Sequence, residues 1–176
     1  MKKLLLPLLL SALPASAREA VHVIRTEDDT RFPADASFCG EALPGANVLL
    51  GAAAYAPRFR VQDGAQVNAG AQPVGRATAC LKRTVEGFTP GVVQEVALQV
   101  SLGKEGPRYR AKGTCTWLST TVPVQGLMLV SCGLILTEGP PGLLGGAVTS
   151  LSVFNPQRLP GFITGSHWTL HAYFDK

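Results

Sequence analysis

The chain has 176 residues, 46% of them hydrophobic, with 16 lysines and arginines against 12 aspartates and glutamates. That length suits one domain with a sizeable core and crowds two. The formal charge of +4 is too modest to signal a polyanion binder by itself.

The first segment, MKKLLLPLLLSALPASA, has Lys2 and Lys3 as a positive start, an apolar run from Leu4 to Leu13 broken by Pro7, and the small residues Ala15, Ser16 and Ala17. This pattern predicts a secretory signal cleaved near Ala17, of a bacterial kind. The run is well short of the ~20 apolar residues of a membrane span, and no cysteine follows it to take a lipid. Removing residues 1–17 takes away two lysines, so the mature charge becomes 14 − 12 = +2. The expected product is one domain, 18–176, secreted or periplasmic, with no membrane span.

After the signal, AVHVIRT (20–26) reads as a first strand and residues 27–46 as a long loop. NVLLGAA (47–53), RFRVQ (58–62) and VGRATACLKRTV (74–85) are further strands. VVQEVALQVSLG (92–103) alternates, with Val96, Leu98, Val100 and Leu102 on one side and Glu95, Ala97, Gln99 and Ser101 on the other. RYRAKGTCTWL (108–118) repeats this with Tyr109, Ala111, Gly113, Cys115 and Trp117 inward. Strands at 124–137, 147–154 and 162–174 complete nine, with Gly/Pro punctuation between them. No stretch has ten residues of helical period capped at both ends. The reading is an all-β chain forming a single antiparallel β-barrel, with a β-sandwich as the alternative; closure hides edges.

Charge is unevenly distributed. Residues 58–112 carry nine basic and four acidic groups: Arg58, Arg60, Arg76, Lys82, Arg83, Lys104, Arg108, Arg110 and Lys112 against Asp63, Glu86, Glu95 and Glu105. They could form an anion-attracting face. Alternation with apolar residues points instead to solvated strand faces, and the lack of interleaved aromatics argues against nucleic acid. From Gly113 to Gln157 the one charged residue is Glu138, and 124–136 is apolar at both parities. A doubly buried strand is the expected reading; a partner surface is the other.

Four cysteines in an exported chain predict two disulfides, with three possible connectivities. Side-chain parity selects among them. Cys115 and Cys132 lie on apolar faces that a turn near Val122-Pro123 would bring opposite each other, whereas Cys80 shares a face with Arg76, Thr78 and Lys82, under reach of the loop that carries Cys39. The expected pairs are Cys115 with Cys132 and Cys39 with Cys80. Their spacing fits neither a zinc motif nor a redox pair.

VGRATACLKRT (74–84), followed by VPVQGLML (122–129), resembles in order and character the strand motifs of secreted bacterial barrels similar to allene oxide cyclase and dirigent proteins. The resemblance covers about 20 residues, and the Gly-rich strand-turn of that group has only FITGSHW as an echo. It implies a small calycin-like barrel with an apolar interior. No catalytic residue carries over, and fold analogy licenses no activity.

Hydrolase, zinc-protease and nucleotide motifs are absent. Glu27, Asp28 and Asp29 lack the glycine and spacing of a calcium loop. His167 and His171, four apart on a last strand with Thr169 and Tyr173, sit roughly 13 Å from each other and need a third residue to hold anything. His22 on the first strand is the one that barrel closure could supply, giving His22, His167, His171 and Tyr173 as the candidate polar site. Tyr109, Trp117 and Trp168 are candidate cavity or core aromatics. No metal, cofactor or catalytic residue is assigned. The expected function is binding of a small apolar ligand inside the barrel or of an envelope or extracellular partner outside it. A small cyclase or isomerase, or a purely structural or host-interaction protein, is the alternative.

Overall fold

The computed structural model describes residues 17–28, 31–83, 89–121, 124–155, 157–162 and 165–175. The expected signal, Ala17 excepted, and the expected turn at Val122-Pro123 lie outside them. Eight strands follow one another round a closed antiparallel ring in chain order. They are β1 (Arg18–Asp28), β2 (Val48–Gln62), β3 (Ala65–Lys82), β4 (Val93–Leu102), β5 (Arg108–Ser119), β6 (Met128–Glu138), β7 (Leu143–Phe154) and β8 (Gly165–Phe174). β8 closes on β1 from Arg18↔Phe174 to Glu27↔Gly165.

The ring has eight strands and not nine, because the segments expected at 47–53 and 58–62 are both part of β2. Pro57 is tolerated within it because beyond Tyr55 this strand has a neighbour on one side only. β2 leaves β1 at Arg25↔Tyr55, and β3 meets β4 from Gly75 onward, so residues 55–73 form a two-stranded arm standing beyond the barrel. Its tip, Asp63-Gly64, has φ of 51° and 76°, the two left-handed residues of a type I′ hairpin turn.

Period-2 alternation decides what is inside. Ile24, Leu98, Tyr109, Trp117, Leu134 and Leu170 belong to one continuous buried cluster that fills the barrel. Cys115 and Cys132 face each other across β5 and β6 within this cluster, joined as a disulfide with a Cα–Cα distance of 4.0 Å. The charge-poor segment divides by parity. Met128, Val130, Cys132, Leu134 and Leu136 are buried, whereas Ile135 on β6 and Leu151 on β7 are 69% and 66% exposed on the outer wall. A single layer of sheet covers one face of each strand, so the outward residues of this segment stay in water.

Residues 27–46, expected to be loop, contain the end of β1 and a short helix, α1 (Ala36–Ala42). Asp35 caps it, its carboxylate accepting a hydrogen bond from the Phe38 N–H at 3.0 Å. A seven-residue helix has too few internal bonds to stand alone. It is held down because Phe38 and Cys39 are buried against Cys80 and Ala97 on the outer face of β3 and β4, and because Cys39 is bonded to Cys80. Burying Phe38 contributes roughly 1.5 to 3 kcal/mol.

Candidate functional site

The inward candidates meet each other. His22 points into the lumen from β1 and places its Nε2 3.3 Å from the hydroxyl of Tyr109, which comes from β5 on the far side of the ring. Desolvation pulls the His22 pKa below its usual value and pushes Tyr109 above its own, so both are held neutral at pH 7. At the other end of the lumen the Trp168 Nε1–H donates to Thr26 at 3.3 Å, and Trp117 is buried in the same hydrophobic cluster as Trp168. These aromatics are packing residues. Of the four hollows described, the one that reaches the interior, between Thr26, Leu98, Phe154 and Trp168, measures about 60 Å³. A small-molecule site needs roughly 300 Å³ or more.

The outward candidates are elsewhere. Barrel closure brings β1 beside β8, but in the register Val21↔His171 and Arg25↔His167, so His22 lies on the opposite face of the sheet from both. His171 Nδ1 instead lies 3.0 Å from a Glu19 carboxylate oxygen on the exposed wall, and the hydrogen bond to His171 pulls the Glu19 pKa down. The same carboxylate raises the Tyr173 phenol. Such an exposed pair contributes little to stability. The His167 ring makes no hydrogen bond among the described residues; its backbone N–H donates to the Ser152 hydroxyl at 2.9 Å, and burial lowers its imidazole pKa with Arg25 adding to the effect. No cluster of three or more His, Cys, Asp or Glu able to hold a metal occurs among the described residues. Asp29 and the Asp28 side chain lie outside those residues.

The largest hollow described lies outside the ring, at the base of the β2–β3 arm. It is a groove of about 900 Å³ lined by Phe32, Pro73, Arg76, Ser101, Lys104 and Arg108 among others. A second hollow of about 260 Å³ shares Phe32, Arg76 and Ser101 with it and extends the groove under Pro33 and Asp35. Gly51 makes this wall possible. A Cβ there would fall 1.9 Å from the Phe32 carbonyl oxygen and 2.6 Å from the Ala34 nitrogen, so only glycine lets the 32–35 strap lie across β2.

Strand register sets the floor of the groove. Arg76 on β3 pairs with Ser101 on β4, which pairs with Arg108 on β5, so two guanidiniums flank one hydroxyl in a lateral row on the outer face. The next row is Thr78, Gln99 and Arg110, and it is internally satisfied. The Thr78 hydroxyl accepts from the Asp35 N–H, Gln99 donates to the Asp35 carboxylate, and Arg110 donates to Gln99 at 3.0 Å. Arg110 also lies 3.2 Å from Glu138 and stacks over Phe38. Asp35 is held below the usual carboxylate range, first by the Phe38 N–H, then by Gln99 and the Ser37 N–H, with the Arg108 charge adding to the effect. Arg76 and Arg108 have no carboxylate within ion-pair distance among the described residues. Sequence alternation places each of these side chains outward, but only the register sets Arg76 and Arg108 either side of Ser101.

No protein-family model, no curated protein and no solved structure matches this chain. Two disulfides fit an oxidising compartment, and no helix among the described residues is long and apolar enough to cross a membrane.

Proposed function

We propose that this protein is an exported binding module that works from its outer surface, engaging an envelope or extracellular partner at the groove beneath the β2–β3 arm. The observation that carries this reading is the contrast in space: about 900 Å³ open outside, against about 60 Å³ inside. The described hollow that reaches the interior is well below the roughly 300 Å³ that a small apolar ligand or a cyclase substrate needs, which favours the outer reading over the interior ones. The signal-like start of the chain and the two disulfides support export, with cleavage near Ala17. The arm supports a partner role, since an isolated hairpin is marginal in water and Val61 on it is 78% exposed.

The test is site-specific photo-crosslinking with a photoreactive phenylalanine analogue at position 32 in the groove and at position 149 on the opposite wall, in the cells that make the protein. Position 32 is expected to transfer label to an extracytoplasmic component and position 149 is not. Equal labelling from both, or an apolar ligand retained by the protein in native mass spectrometry, would replace this reading by one of the others.

A further inference from the structure

We infer that the row Arg76–Ser101–Arg108 is a binding site for a phosphoryl group, with Lys104 at its lip. The inference rests on the outer-surface reading above and names the chemistry that the groove selects.

Three observations carry it. First, β3 and β5 are the two neighbours of β4, so the Cα atoms of Arg76 and Arg108 are two strand spacings apart, roughly 9 to 10 Å, with both side chains on the same face. The residue between them is a serine, short enough to leave a trough and able to donate from its hydroxyl. Second, neither guanidinium has a hydrogen-bond or ion-pair partner among the described residues, although the Arg108 charge is felt by Asp35. Arg110, one residue pair along the same strand, is fully used by Gln99, Glu138 and Phe38, and Lys82 has Glu95 at 4.0 Å. Asp35 is hydrogen-bonded to the Phe38 N–H and to Gln99, and Arg108 acts on it through its charge without an ion-pair contact. Third, the row is the floor of the largest hollow described, between the Phe32 strap and the 103–106 turn, so a guest is flanked by walls.

The number of donors favours phosphate over carboxylate. A carboxylate has two oxygens, both of which one guanidinium fork engages; a free phosphate or phosphomonoester has three or more and can take a fork from each side with the serine hydroxyl between. Lys104 adds a point charge, and Glu105 is the one carboxylate lining this hollow, leaving three cations to one anion. A phosphate free in solution and a phosphomonoester on a lipid headgroup both present three or more non-bridging oxygens to this row.

The experiment is calorimetric titration of the disulfide-bonded chain with inorganic phosphate, and in parallel with vesicles of phosphatidic acid, a phosphomonoester lipid, in phosphatidylcholine. Saturable binding is expected with one or both probes, inorganic phosphate at about 1 mM or tighter. Arg76→Gln and Arg108→Gln should each weaken it about tenfold or more, since each removes a charged fork. Lys112→Gln, an exposed cation on β5 outside the groove, should leave binding unchanged, and all three variants should melt with the parent. Binding of inorganic phosphate alone supports a soluble phosphate, and binding of vesicles alone supports one on a lipid. No saturable binding of either probe at about ten times that concentration, or binding that both arginine variants leave intact, overturns the site. If position 32 still crosslinks while phosphate fails, the phosphoryl assignment falls and the surface reading stands. If the crosslink fails as well, both fall.

Discussion

His22 and Tyr109, 87 residues apart in the chain, meet at 3.3 Å across the lumen of the barrel. They place a pair of neutral polar groups at one end of an interior that is mostly hydrophobic. The imidazole is partly desolvated there, which sets its response to acid.

Stability should therefore fall as pH drops from about neutrality. The His22 pKa is lowered from 6.5 by burial, and that of His167 likewise, so between the folded value and 6.5 the unfolded chain binds more protons than the folded one. Unfolding takes up protons in that window, and stability is lost as pH falls through it. Asp35 and Glu19 also have lowered values, but their losses begin only near 3.8 and 4.5. Urea midpoints at pH 7.5 and 5.5 should differ in the parent and nearly coincide in a His22→Gln, His167→Gln double variant. An equally acid-sensitive double variant would show that other groups govern this window.

The two disulfides should contribute unequally. Cys39–Cys80 spans 41 residues and Cys115–Cys132 spans 17. Loop closure in the unfolded chain gives about 4 kcal/mol for the first and about 3 kcal/mol for the second. The alanine pair at 39 and 80 should lower the denaturant midpoint more and selectively deprotect the amides of α1 in hydrogen exchange, because the helix is otherwise fixed mainly by Phe38. Retained α1 protection would count against the bond as its anchor.

Gly51→Ala tests the strap. The added methyl would sit 1.9 Å from a backbone oxygen, so residues 32–35 must move. A loss of about 1 to 3 kcal/mol is expected, as for other overpacked sites, with the groove altered and the lumen unchanged. The thermal midpoint and tryptophan fluorescence report the two effects separately; Trp117 and Trp168 both lie in the interior.

Gln94 is buried, and neither its amide nitrogen nor its oxygen has a hydrogen-bond partner among the described residues. Gln94→Leu should raise stability by about 1 to 3 kcal/mol, the penalty of an unsatisfied buried polar group. A lower midpoint in chemical denaturation would mean that the amide is paired in solution, for instance through an internal water.

Neighbours of opposite parity on β6 should behave oppositely. Leu134 is buried in the core, and Leu134→Ala should cost about 2 to 5 kcal/mol. Ile135 is exposed on the wall, and Ile135→Thr should fall within about 0.5 kcal/mol of the parent. Comparable losses at both positions would mean that the outer wall of β6 and β7 is covered in solution.

Alternation along 92–103 and 108–118 was enough to assign the β class and the inward set from Val96 to Trp117, because side chains of a strand take opposite faces residue by residue. The same parity identified both disulfides: Cys115 and Cys132 share the inner face, and Cys80 looks outward to the segment carrying Cys39. It also set His167, His171 and Tyr173 on one face. Parity carries no information about which residue of a neighbouring strand stands opposite. That is why closure beside β8 suggested a site for His22, while the register placed it on the other face, across from Tyr109. It is also why the basic residues of 58–112 could be recognised as a group but not sorted into spent ones such as Arg110 and a free row about Ser101. Helix α1 was invisible for a different reason: its seven residues have no helical stability of their own, and they are helical because Phe38, the Asp35 cap and the bond to Cys80 fold them onto a sheet already formed.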